Sequence, residues 1–131
     1  MDNKNTKKII LVIEDDPLNM KLVTDLLEAA GGFEVIKASN RKSVFEILQQ
    51  TIPDLIVLDL QLPDIDGFEI MKRLKSNERT KSIKVIAMTS SITLEDEEQM
   101  AEFGFNHYIH KPINTREFVK IINEVYGSRK L

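Results

Sequence analysis

The feature that most restricts the fold of this chain is a set of short, almost wholly apolar segments separated by amphipathic ones. The segments IILVI (9–13), DLIVLD (54–59) and IKVIAMT (83–89) are rich in aliphatic residues and too short for buried helices. Strands that are apolar on both faces are typical of parallel sheets covered by helices on either side. The sequence therefore predicts an α/β fold with right-handed crossover connections.

Two further strands and five helices complete the predicted alternation. FEVIKA (33–38) alternates apolar and polar residues as an edge strand does, and HYIH (107–110) is a short fifth strand. A segment with helical periodicity follows each strand. Because no length remains for a second domain, the pattern indicates five consecutive β/α units.

The helix ends carry recognisable signals. Asp16 is predicted as the N-cap of the first helix and Pro17 as its first residue. Thr93 and Asp96 resemble a capping box that opens the fourth helix, and Gly127 closes the fifth. The apolar face of the first helix is predicted to consist of Leu18, Leu22, Val23, Leu26, Leu27 and Ala30.

The composition is that of an ordinary globular protein. We expect one domain over residues 1–131, with an ordered core from about residue 8 to residue 127. The chain has 0 cysteines, which excludes disulfides and thiolate metal sites. Its net charge of −3 argues against a nucleic-acid binder, and no apolar run is long enough for a membrane span. We therefore expect a cytoplasmic protein that contacts neither nucleic acid nor membrane directly.

Polar residues that follow four of the strands are expected to meet at one edge of the sheet. Ligands of open parallel sheets bind outside the carboxyl ends of the strands. The residues at these positions are Glu14, Asp15 and Asp16 after strand 1, Asp59 after strand 3, Thr89, Ser90 and Ser91 after strand 4, and Lys111 and Pro112 after strand 5. Each has an ordinary structural explanation when taken alone, and for Asp16 helix capping is the favoured one.

The charges at this edge indicate a cation site. Glu14, Asp15 and Asp59 together carry about three negative charges at neutral pH, which demand a cation when they are close. Lys111 supplies one positive charge, and Mg²⁺ prefers such oxygen ligands. Metal and lysine would neutralise a transferring phosphoryl group, and a metal-bound carboxylate is a credible nucleophile. We expect the turn LPDIDG (62–67, with Gln61 before it) to leave Asp59 accessible.

With these residues assembled, the chain resembles the receiver domains of two-component response regulators over essentially its whole length. The matching motifs are VIEDDPLNM (12–20), LDLQLPDIDG (58–67), AMTSS (87–91) and YIHKPI (108–113). The resemblance implies a doubly wound, flavodoxin-like (βα)5 three-layer sandwich with strand order 2-1-3-4-5. The stretch EDDPLNMKL (14–22) looks most like single-domain regulators of cell polarity and differentiation and like receivers of hybrid kinases.

The resemblance implies a role for each site residue. Asp59 would accept a phosphoryl group from the phosphohistidine of a sensor histidine kinase or a histidine phosphotransfer protein. The ligands of Mg²⁺, with Mn²⁺ as a substitute, would be Glu14, Asp15, Asp59 and the backbone carbonyl of Gln61. Thr89 and Lys111 would contact the phosphoryl group, with Ser90 as a competing contact.

The same resemblance implies how a signal would leave the domain. Thr89 and Tyr108 would form the switch, and the peptide bond before Pro112 would be cis. A stand-alone regulator would signal by protein contact through the face of helix 4, strand 5 and helix 5. No dedicated substrate turnover is expected.

Three other interpretations remain open at this point. A phosphatase of the haloacid dehalogenase kind would need a second aspartate where Gln61 lies. A nucleotide or flavin binder would need a glycine-rich loop, whereas EDDPLN (14–19) has no glycine. A degenerate receiver would use the same surface for interaction only.

Overall fold

The computed structural model describes residues 7–64, 66–90 and 94–126, and five strands alternate with five helices within them. In chain order the elements are β1 (Lys8–Ile13), α1 (Pro17–Ala30), β2 (Phe33–Ala38), α2 (Arg41–Gln50), β3 (Leu55–Asp59), α3 (Gly67–Lys75), β4 (Lys84–Thr89), α4 (Leu94–Phe103), β5 (His107–His110) and α5 (Thr115–Tyr126). The predicted strands match these bounds to within one residue.

All pairs of neighbouring strands in the sheet are parallel, and the order is β2-β1-β3-β4-β5. The predicted α/β class, the strand order and the edge position of β2 are therefore confirmed. The chain winds outward from β1 to β2 and then returns to the other side of β1 for β3. This reversal leaves a crevice at the carboxyl ends of β1 and β3, which is where open α/β sheets bind ligands.

The two faces of the sheet carry separate apolar cores, as the continuously apolar strands require. Along β1, Leu11 and Ile13 face one core, which also receives residues of α2 and α3 such as Val44 and Ile70. Ile10 and Val12 face the other core, which is closed by α1 and α5. The structure is thus the three-layer sandwich that the sequence predicts.

The first helix begins and ends as its sequence predicts. The Asp16 side chain accepts a hydrogen bond from the Leu18 amide at 3.2 Å, and Pro17 is the first helical residue. Gly31 follows the last turn with φ +78°, a conformation that favours glycine. The predicted cap at Thr93 and the predicted end at Gly127 lie outside the described residues.

The predicted apolar face of α1 is partly wrong. Val23 and Leu27 are buried, but Leu18 is 78 % exposed. Leu18 precedes Val23 by five residues, which places it about 140° around the helix from the buried stripe. The remaining members of the predicted face are half-buried or exposed: Leu22 and Leu26 are half-buried and Ala30 is exposed.

No helix among the described residues combines the length and the hydropathy that crossing a membrane requires.

Leu58 and Leu18 offer a matched test of this packing. Leu58 is fully buried in β3, so Leu58→Ala should lower the free energy of unfolding by about 2–5 kcal/mol. Leu18→Ala should change it by less than about 0.5 kcal/mol, because the side chain is already in solvent. Urea titrations monitored by far-ultraviolet circular dichroism measure both values. Equal losses for the two variants would contradict the assignment of the buried face.

Candidate functional site

The strand register brings the predicted polar residues to one edge of the sheet. Asp59 pairs with Met88, and Thr89 pairs with His110, so β3, β4 and β5 end close together. The Lys111 amide donates a hydrogen bond to the Thr89 carbonyl at 2.8 Å, which extends this alignment by one residue. The edge therefore gathers residues that are far apart in the chain.

Three carboxylates lie together at this edge. Glu14, Asp15 and Asp59 each offer an oxygen, and these oxygens lie within 4.8 Å of one another. Glu14 is 1 % exposed and Asp59 is 2 % exposed, whereas Asp15 is open to solvent. The expectation of an accessible Asp59 is therefore wrong. The neighbouring strand ends and the Lys111 side chain enclose Asp59. The next residue in the chain, Leu60, is half-buried.

Backbone amides hold the buried carboxylates in place. The Gln61 amide donates to Asp59 Oδ1 at 2.8 Å, and the Asp16 amide donates to Glu14 Oε2 at 3.1 Å. The second oxygen of each carboxylate faces Lys111. Carboxylates fixed by backbone donors lose little further freedom when they bind a ligand.

Lys111 lies between the two buried carboxylates. Its Nζ donates a hydrogen bond to Asp59 Oδ2 at 3.1 Å, and the same nitrogen is 3.1 Å from Glu14 Oε1. The second contact is an ion pair without hydrogen-bond geometry, so Glu14 Oε1 is a buried oxygen with no hydrogen-bond donor. The peptide bond between Lys111 and Pro112 is cis.

The protonation of this cluster reflects its burial. Burial is the largest cause that raises the pKa of Glu14 to about 7, and the adjacent Asp59 carboxyl raises it further. The Asp16 amide and the Lys111 ammonium group oppose this rise. Burial also disfavours the charged form of Lys111, but its contacts with Glu14 and Asp59 outweigh burial and raise its pKa. One ammonium group therefore does not fully compensate the carboxyl groups around it.

The carboxylate cluster has the properties of a divalent-cation site. Glu14 Oε1 is buried with no hydrogen-bond donor and only the ion pair with Lys111 at 3.1 Å, so a second cation next to it would be favourable. Asp15 is exposed, so one side of the cluster can remain hydrated. Mg²⁺ is bound in proteins by one or two carboxylates and several waters, and these residues fit that pattern.

The remaining predicted residues lie on β4, on β5 and in the loops that follow β3 and β4. Thr89 is 5 % exposed at the end of β4, whereas Tyr108 on β5 is 40 % exposed. A hydrogen bond to Glu97 of α4 raises the pKa of the Tyr108 hydroxyl. The Gln61 side chain contacts Ser90, which was not predicted, because no sequence signal reports a contact between residues 29 positions apart.

The comparison with known families decides the class of this chain. A model of the response regulator receiver domain matches residues 10–123. The chain belongs to the response regulator receiver domain family. It is a receiver domain of two-component signalling, and the matched range contains the carboxylate cluster, Thr89 and Lys111. Membership favours this class over the phosphatase and nucleotide-binding interpretations.

Curated relatives of this receiver domain include polar-differentiation response regulators named DivK. The DivK of Brucella anthropi is 38 % identical over 120 residues, which cover 92 % of this chain and 97 % of the relative. The DivK of Brucella melitensis has the same identity and coverage. The expected likeness to regulators of polarity and differentiation is confirmed.

Solved structures show the same fold. The signal receiver domain of a DNA-binding response regulator from Colwellia psychrerythraea superposes with a TM-score of 0.86 at 31 % identity, covering 92 % of this chain and 99 % of that one. The receiver domain of a sensor histidine kinase from Pseudomonas aeruginosa gives 0.80 at 24 % identity, covering 93 % and 99 %. That second structure is described with a magnesium ion coordinated in its active-site cleft.

Removal of the Lys111 charge should destabilise the fold, because the buried carboxylates then repel each other without a cation between them. In protein freed of divalent cations by a chelator, Lys111→Met should lower the free energy of unfolding by about 3 kcal/mol at mildly alkaline pH. The reason is that two buried carboxylates lose the cation between them. Urea titration of both proteins measures the difference.

Lys21 provides the matched control for this substitution. Its ion pair with Asp25, 2.9 Å long, joins side chains that are 73 % and 55 % exposed. Lys21→Met should therefore lower the free energy of unfolding by less than about 0.5 kcal/mol. A Lys111 variant as stable as the Lys21 variant would mean that Lys111 does not balance the buried charge.

Proposed function

We propose that this receiver domain accepts a phosphoryl group on Asp59 from a protein phosphohistidine, in a reaction that depends on Mg²⁺, and then signals by contact with another protein. The observation that carries the proposal is the environment of Asp59. This buried carboxylate is paired with Lys111 at 3.1 Å and lies within 4.8 Å of the oxygens of two other carboxylates.

The proposed transfer moves one phosphoryl group from a ring nitrogen of the donor histidine to Asp59. A carboxylate oxygen of Asp59 forms a bond to phosphorus while the bond from phosphorus to the imidazole nitrogen breaks. The imidazole keeps that electron pair and leaves as a neutral group, because its other ring nitrogen carries a proton. Catalysis of such transfers consists mainly of positioning and charge neutralisation. The Gln61 amide, which holds Asp59 Oδ1 at 2.8 Å, fixes the orientation of the nucleophile.

The cation and Lys111 have separate tasks in this proposal. Mg²⁺ would be held by Glu14, Asp15, Asp59 and the backbone carbonyl of Gln61, and it would neutralise the transferring oxygens. Mn²⁺ has similar ligand preferences and is expected to substitute. Lys111 pairs with Asp59 before the transfer and would pair with the phosphoryl oxygens after it.

The proposed output begins at Thr89 and Tyr108. Phosphorylation adds about −1.5 to −2 charge and three acceptor oxygens, and Thr89 at the end of β4 would donate to one of them. Tyr108 lies on the neighbouring strand with its side chain tethered to Glu97 of α4. We expect the partner to bind the face of α4, β5 and α5, where such a change alters the exposed surface.

The assignment of Asp59 as the acceptor has a direct test. Incubation with phosphoramidate and Mg²⁺ should add one alkali-labile phosphate to the wild-type chain and none to Asp59→Asn, because the amide is not a nucleophile. A chelator should abolish labelling of the wild type. Intact-mass spectrometry measures each product.

Asp64→Asn is the matched control for this experiment. Asp64 lies in the same loop and accepts a hydrogen bond from the Arg41 amide at 3.1 Å, which the asparagine oxygen preserves. This variant should be labelled like the wild type. Equal labelling of Asp59→Asn and Asp64→Asn would rule out Asp59 as the acceptor.

Leu18 is a candidate contact for the phosphodonor protein. It is 78 % exposed and lies in the first turn of α1, directly after the acidic segment that ends β1. A protein that brings its phosphohistidine to Asp59 must cover this edge of the sheet. Burial of one leucine side chain there would contribute substantially to affinity.

A substitution at Leu18 should affect binding of the donor protein without affecting the chemical step at Asp59. With the histidine kinases of the same genome as donors, Leu18→Ala should reduce the rate of transfer from the cognate kinase by about tenfold. Labelling by phosphoramidate should keep its wild-type rate, since that small donor needs no docking surface. A parallel loss with both donors would place the effect of Leu18 in the chemistry instead.

A further inference from the structure

A groove with an apolar floor runs between α3 and α4, on the face of the sheet that α2 also covers. Its volume is about 630 Å³. Met71 is buried along it and Phe103 is half-buried. An aromatic contact between Phe68 and Phe103, with ring centroids 4.9 Å apart, joins the two helices. The groove is therefore formed by two helices that are packed against each other.

The two walls of the groove carry opposite charges. Lys72 and Lys75 of α3 are exposed on one wall, and Glu102 of α4 is exposed on the other. Glu98, also exposed, precedes Glu102 by four residues, so these two acids lie on the same side of α4. We call Lys72 and Lys75 the basic wall, and Glu98 and Glu102 the acidic wall. A surface with both signs in separate rows is complementary to a copy of itself.

The walls do not neutralise each other within one chain. In the part of the chain that the structure describes, Lys72, Glu98 and Glu102 form no ion pair. Arg73, which follows Lys72, differs because it pairs with Glu69 on its own helix at 3.3 Å. Lys72 and the acidic wall therefore remain available to charges on another molecule.

Lys72 and Glu102 lie at similar heights along the groove. The Lys75 side chain packs on Gly104, where an added Cβ would be 3.0 Å from the lysine Cε. Lys72 precedes Lys75 by three residues and Glu102 precedes Gly104 by two, which correspond to about 4.5 Å and about 3 Å of helix. Both helices run in the same direction, since each leads from the end of one parallel strand to the start of the next. A rotation about an axis parallel to the helices keeps these heights, so it brings Lys72 opposite the partner's Glu102.

We propose that the groove between α3 and α4 is a self-association surface, on which two copies of this chain form a symmetric dimer. The two-fold axis runs parallel to the helices, so the basic wall of each copy faces the acidic wall of the other. An axis across the helices would place basic wall on basic wall, and repulsion disfavours that arrangement. Because the same contact occurs twice, the assembly is closed at two copies.

This dimer leaves the proposed output side of α4 open. Tyr108 is tethered to Glu97, which lies about 100° around the helix from Glu98 and about 140° from Glu102. The acidic wall and the Tyr108 side of α4 are thus different surfaces of one helix. Self-association through the groove does not depend on phosphorylation of Asp59.

Charge reversal at Lys72 and at Glu102 tests this arrangement. Sedimentation equilibrium of the wild type at concentrations up to about 1 mM should show monomers and dimers, with a dissociation constant that rises with salt. Lys72→Glu and Glu102→Lys, each alone, should raise that constant by at least about tenfold, because like charges then meet twice. Lys120→Glu, which makes the same change of charge on the exposed surface of α5, should leave it unchanged.

Combining the two reversals identifies which walls face each other. The double variant Lys72→Glu/Glu102→Lys again places opposite charges across the axis. An equimolar mixture of the two single variants does the same, since both contacts of the mixed dimer then join a lysine to a glutamate. The double variant and the mixture should both dimerise at least about tenfold more tightly than either single variant alone.

The possible results separate this dimer from other uses of the groove. A wild type that stays monomeric at every concentration would overturn the proposal and leave the groove to a different partner. Dimers that neither single variant weakens would place the interface elsewhere and overturn it as well. No recovery in the double variant and in the mixture would show that Lys72 and Glu102 do not face each other, which contradicts an axis parallel to the helices.

Discussion

The ammonium group of Lys111 lies between two buried carboxylates, those of Glu14 and Asp59. Its single positive charge does not balance their negative charges, and the rest of the site depends on this difference. Glu14 and Asp59 are almost without solvent contact, yet each is 3.1 Å from the same nitrogen. Burial, and after it the adjacent Asp59 carboxyl, raises the pKa of Glu14, and its oxygen Oε1 has no hydrogen-bond donor. A third carboxylate, Asp15, adds to the negative charge. A divalent cation would resolve the shortage of positive charge, in line with the proposed transfer of a phosphoryl group to Asp59.

The fold brings these like charges close together, and their repulsion lowers the stability of this edge of the sheet. Each residue of the cluster lies at or just beyond the end of a strand that carries buried apolar side chains, so the strand packing fixes the position of the polar residue there. Leu58 illustrates the arrangement, because it contributes to one core and directly precedes Asp59. Stability from the two cores thus supports a charged edge that is unfavourable by itself, a common arrangement at functional sites.

Periodicity and strand ends made much of this structure predictable. The buried strands, the cap at Asp16 and the meeting of Glu14, Asp59 and Lys111 at one edge all follow from local patterns and from the geometry of parallel sheets. The exposure of Leu18 did not, because the one apolar face predicted for α1 was wider than the stripe that the packing buries. The burial of Asp59 also depends on neighbours from other strands.

Contacts between loops were the least predictable feature. The Gln61 side chain reaches Ser90 across 29 residues, and neither residue type nor spacing announces that contact. The tether between Tyr108 and Glu97 joins β5 to α4 in the same way. Contacts between elements far apart in the chain are thus harder to infer from sequence than the residues that form the carboxylate cluster.

The dependence of stability on Mg²⁺ tests the central claim about the cluster most directly. If the three carboxylates hold one cation, the free energy of unfolding should rise by about 1.4 kcal/mol for each tenfold increase in Mg²⁺ above the dissociation constant. Asp59→Asn should shift this rise to higher concentrations, because it removes one charged ligand. A wild-type stability that does not respond to Mg²⁺, or an identical response in Asp59→Asn, would contradict the account.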